Sequence, residues 1–119
     1  MSLITIILST LVAATFFFIF YLETLNTTSL QTSKVFNMSQ EELARPALNV
    51  LFKNQGVYNL LIGVFILIAL FIVPNKTYLG LLFGYIILVA AYGTYSSRNF
   101  QIFIKQAGIA VIALVSLFF

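Results

Sequence analysis

No cysteine and no histidine occur in this chain, and only nine side chains carry charge, six basic and three acidic. Without cysteine there are no disulfides and no thiolate metal site. Without histidine the commonest general base and the commonest metal ligand are missing. Any chemistry rests on carboxylate, amide, hydroxyl, phenol or ammonium groups. The shortage of charge excludes more. Charged residues are 8% of the chain, against roughly 25% in an ordinary soluble domain. A net charge of +3 is too thinly spread for a nucleic-acid face, which clusters Lys and Arg. The first residues lack the positive stretch that opens a secretory signal. The apolar run behind them is about a full span long, so it is expected to stay as a helix.

What is present is apolar. Of 119 residues, 61% are hydrophobic, more than a soluble fold of this length can hide. Four apolar runs, at about 3–22, 55–73, 78–95 and 100–119, each approach the length that spans hydrocarbon, about 30 Å at 1.5 Å per residue. The expected fold is all-α: a single-domain integral membrane four-helix antiparallel bundle. A short amphipathic helix is expected in the cytoplasmic stretch 23–54. Ser39-Gln40-Glu41-Glu42 reads as a capping box that starts it. Glu42, Arg45, Asn49 and Lys53 would form its polar stripe, and Pro46 either kinks it or begins the next helix.

Basic residues set the orientation. Lys34, Arg45 and Lys53 lie in the first loop, Arg98 and Lys105 at the third, and only Lys76 in the second. By the positive-inside rule, loops one and three are cytoplasmic and both termini lie outside.

Polar residues gather at that same level. Glu23 ends span one; Asn54, Gln55, Tyr58 and Asn59 open span two; Tyr92 and Tyr95 close span three; Arg98, Lys105 and Gln106 open span four. The opposite half reads as almost purely apolar. Gln55, Tyr58 and Asn59 share a helical face, and amides facing hydrocarbon lack partners, so that face is expected to turn inward. The candidate ligand-binding set is therefore Glu23, Asn54, Gln55, Tyr58, Asn59, Tyr92 and Gln106. Glu23 would supply charge, Asn54, Gln55 and Asn59 hydrogen bonds, and Tyr58 and Tyr92 the walls, for a small molecule, an ion or a lipid. Two other readings stay open. Glu23 could be the acid or base of an enzyme acting on a lipid-like substrate. The polar cluster could instead only hold helices together. No cofactor, metal or catalytic motif stands in the chain. Gly80 and Gly84 form a GxxxG element suited to close packing, within the chain or in a homodimer.

Tyr21-Leu22-Glu23, Lys34-Val35-Phe36, Asn54-Gln55-Gly56-Val57-Tyr58-Asn59, Tyr92-Gly93 and Gln106 follow one another in an order that resembles a family of small bacterial membrane proteins. That family is known only as a domain of unknown function with four spans. The resemblance covers nearly the whole chain, with Asn-Gln-Gly-x-Tyr-Asn as its most distinctive element. It implies a bacterial inner-membrane protein. Many members carry a Glu-His pair just before Tyr-Leu-Glu, where Thr15 and Phe16 stand here. The small multidrug carriers share the length but place a Glu midway down the first helix, and residues 13–18 hold no acid.

Overall fold

A computed structural model describes residues 1–119, and it is helical with no strand. The helices are α1 (Leu3–Phe20), α2 (Leu30–Phe36), α3 (Gln40–Leu43), α4 (Pro46–Leu67), α5 (Lys76–Ser97) and α6 (Phe100–Ser116). Wider π-helical turns extend α1 through Tyr21–Leu25 and α4 through Ile68–Ile72. Three continuous helices are long and apolar enough to cross a membrane: Leu3–Leu25, Pro46–Ile72 and Lys76–Ser97. The last apolar helix, Phe100–Ser116, is shorter at 17 residues.

The loop differs from its expected form. Ser39 caps α3 as anticipated: its hydroxyl accepts from the Glu42 N–H at 3.0 Å, and its own N–H donates to Glu42 Oε1 at 3.2 Å. That backbone donation, followed by the Ser39 side chain, holds the exposed Glu42 carboxyl below the usual range. The helix lasts one turn. Pro46 then opens α4, where a missing N–H costs nothing. Glu42 and Lys53 therefore sit on different helices, and the single amphipathic helix with a Glu42–Lys53 stripe does not form. The helix that carries the second apolar run begins at Pro46. At 27 residues, Pro46–Ile72 is about 40 Å long, more than the thickness of a hydrocarbon core. The unforeseen α2 is capped by Ser29, whose hydroxyl accepts from the Thr32 N–H at 3.1 Å, and ends at Asn37 with φ 54°.

The chain divides into two compact units, Met1–Thr15 with Gly63–Phe119, and Phe16–Ile62. In the first, α5 buries Leu79, Phe83, Ile86 and Ala90 at alternating spacings of four and three. Helix α6 buries Ala107, Ala110 and Ala113, small side chains that let α5 approach. The spacing of Gln106, Ala110 and Ala113 in the sequence suggests an inward stripe; Ala110 and Ala113 are buried together with Ala107, and Gln106 is half-buried at the edge. This unit also buries two hydroxyls. Thr5 and Ser9 are buried on α1, and the Thr5 hydroxyl lies 2.9 Å from Ser116 Oγ and 2.9 Å from Ser2 Oγ. A Cβ at Gly80 would meet Leu117 at 3.7 Å, an ordinary contact, and one at Gly84 would meet nothing within 4 Å. The GxxxG element is therefore no point of close helix approach within this unit.

Candidate functional site

The second unit holds the buried polar groups Glu23, Thr27, Thr32 and Asn59. Glu23 lies on the π-helical turn at the end of α1. There the Asn26 N–H reaches back five residues to the Tyr21 carbonyl at 2.9 Å. Widening this turn buries Leu22 and Glu23 together. Threonines stitch it. Thr27 Oγ1 donates to the Glu23 carbonyl at 2.6 Å. Thr32 Oγ1 contacts the carbonyls of Leu22 at 3.0 Å and Asn26 at 2.7 Å, reaching across from α2. Thr24 Oγ1 donates to the Lys53 carbonyl of α4 at 2.9 Å.

Gly56 explains how α4 comes so close. A Cβ there would stand 1.9 Å from Thr24 Oγ1 and 3.1 Å from Glu23 Cβ, so only glycine fits. One turn further along α4, Asn59 Nδ2 donates to Glu23 Oε1 at 2.5 Å. Both residues are nearly sealed, Glu23 5% and Asn59 6% exposed. The polar partner of this carboxylate is a neutral amide. No three His, Cys, Asp or Glu side chains gather to hold a metal ion.

Of the seven residues singled out in the sequence, the structure brings Glu23 and Asn59 into contact. The shared inward face of Gln55, Tyr58 and Asn59 does not form. Asn54 and Gln55 are exposed, and Tyr58 is 62% exposed. The reason is rotational. Gly56 must face Thr24, and Gly56, Asn59, Gly63 and Ile66 then make the buried stripe at spacings of three and four. That turns Gln55 and Tyr58 to the flank and outer side. Tyr92 and Gln106 belong to the first unit, where Tyr92 is 69% exposed, its ring 6.2 Å from that of Tyr95, and Gln106 is half-buried. Sequence reading missed Thr24, Thr27, Thr32 and the contact role of Gly56. The threonine-rich run after Glu23 was the available signal, since hydroxyls beside a helix end commonly take up backbone carbonyls.

Residues 10–118 match the family described as a protein of unknown function, DUF1304. The chain belongs to that family. It is 52% identical over 120 residues to the uncharacterized protein YpaA of Lactococcus lactis subsp. lactis (strain IL1403), covering all of both chains. No solved structure matches.

Proposed function

We propose that this DUF1304 protein binds a small ligand or ion at the Glu23–Asn59 pair, and that the ligand is a cation. One observation carries the reading: a carboxylate sealed among helices is held by a neutral amide. Burying a charge without a compensating one is expensive, so such a group carries a proton or neighbours a bound cation. The threonine hydroxyls and turn carbonyls around Glu23 are oxygen donors of the kind small cations use. The exposed basic residues Lys34, Arg45 and Lys53 flank this unit and support placing it at the cytoplasmic leaflet of a bacterial inner membrane, with both termini outside. Tight packing at Gly56 favours a second reading, in which the pair only fastens α1 to α4.

Labelling by dicyclohexylcarbodiimide in native membranes separates the two. The reagent attacks carboxyl groups in apolar surroundings, and mass spectrometry locates the adduct. Under the first reading, Glu23 is labelled and added sodium, potassium or tetraphenylphosphonium slows labelling in a saturable way. Glu23→Gln removes the label while the protein still folds, because the glutamine keeps the volume and accepts from Asn59. Under the second, no cation protects Glu23, and Glu23→Gln alters only stability.

A further inference from the structure

The outer face of α5 carries a second pattern, independent of Glu23. Tyr78, Leu81, Tyr85, Leu88, Tyr92 and Tyr95 recur at spacings of three and four, and each is more than half exposed, from 55% at Tyr85 to 78% at Tyr95. The row lies opposite the buried stripe of Leu79, Phe83, Ile86 and Ala90. A 3.5-residue repeat of large side chains keeps one seam facing a neighbouring helix along its whole length.

The tyrosines make lipid a poor cover. Tyrosine favours the ends of a membrane helix, where its hydroxyl is wet. Tyr85 stands near the midpoint of the 22-residue α5, at a depth where hydrocarbon offers its hydroxyl no partner. Beside it Gly84 leaves a hollow, since a Cβ there meets nothing within 4 Å. Four tyrosines that each bury about 150–250 Å² when covered, with two leucines, offer on the order of 800 Å² per protomer, a standard interface area.

We propose that a second copy of this chain docks on α5 through the Tyr78–Tyr95 seam. Copies insert in the same sense, so a two-fold axis along the membrane normal sets the two α5 helices parallel and left-handed. Residues at equal height then face each other, and each Tyr85 hydroxyl finds its partner across the axis. This moves the expected dimer contact from Gly80 and Gly84 to the large side chains beside them. Gly84 supplies a hole, and Gly80 faces Leu117 of its own chain.

The chain has no cysteine, so single substitutions report directly. Leu81→Cys, Tyr85→Cys, Leu88→Cys and Tyr92→Cys should form disulfide-linked homodimers on oxidation in native membranes. Ile112→Cys on α6, 58% exposed, should not. The unmodified chain, fluorescently tagged and dilute in phosphatidylethanolamine–phosphatidylglycerol vesicles, should bleach in two steps. Tyr85→Phe should raise the dissociation constant three- to tenfold. Single-step bleaching of the unmodified chain would overturn the proposal. So would equal cross-linking at Ile112→Cys, or adducts only with a different polypeptide or with lipid.

Discussion

The two units bury different materials. The first buries twelve apolar side chains and two polar ones, Thr5 and Ser9; the second buries four apolar ones and four polar ones, Glu23, Thr27, Thr32 and Asn59. In the first, α5 and α6 meet through buried apolar side chains, Leu79, Phe83, Ile86 and Ala90 on one and Ala107, Ala110 and Ala113 on the other. In the second, helices are joined by donors and acceptors matched at single atoms. A packed apolar face tolerates small errors of fit, whereas a hydrogen-bonded join fails when one partner is removed. The difference predicts where substitutions hurt.

The sharpest contrast is between glycines. Gly56→Ala should destabilise by ~1–3 kcal/mol, the range for overpacking a tight site. Gly80→Ala should be neutral or gain up to ~1 kcal/mol from helix propensity, because its Cβ finds ordinary contact with Leu117. Reversible unfolding in mixed micelles measures both, and equal costs would erase the distinction between the units.

Next come the buried polar groups. Asn59→Leu leaves Glu23 without its donor and should cost ~1–3 kcal/mol. Ser9→Ala should cost almost nothing, since the Ser9 hydroxyl is buried with no partner. A large loss at Ser9 would show that the first unit also depends on polar joins.

Thr32→Val removes a hydroxyl that serves two carbonyls and should cost ~1 kcal/mol. Backbone hydrogen exchange at residues 21–26 should rise at the same time. Unchanged protection there would mean the π-helical turn holds without its threonines.

The smallest effect is a pH dependence at the exposed Glu42. The folded Glu42 pKa is depressed, so its contribution is complete above the unfolded value and fades as pH falls through the lower folded one. Stability followed by urea titration below about pH 4 should show a slope that Glu42→Gln flattens.

Much of this was legible in the residues. The shortage of charge and the length of the apolar runs called for long apolar helices, and three are long and apolar enough to cross a membrane. The Ser39–Glu42 box was visible because capping is local. The polar spacing puts Asn59 beside Glu23, where the structure has it, and draws Gln55 and Tyr58 inward with it, although both are exposed. Spacing defines which residues share a face, and it leaves open which face a neighbour selects. Gly56 made that choice, and its role depends on Thr24, 32 residues earlier.

Composition and periodicity by themselves determined the helical class and the long apolar helices, since each follows from the residues of one segment. The rotation of α4, the threonine stitching of the widened turn at Glu23, and the pairing of Glu23 with Asn59 were decided only when distant segments packed. Close approach at Gly56 is a property of two helices together.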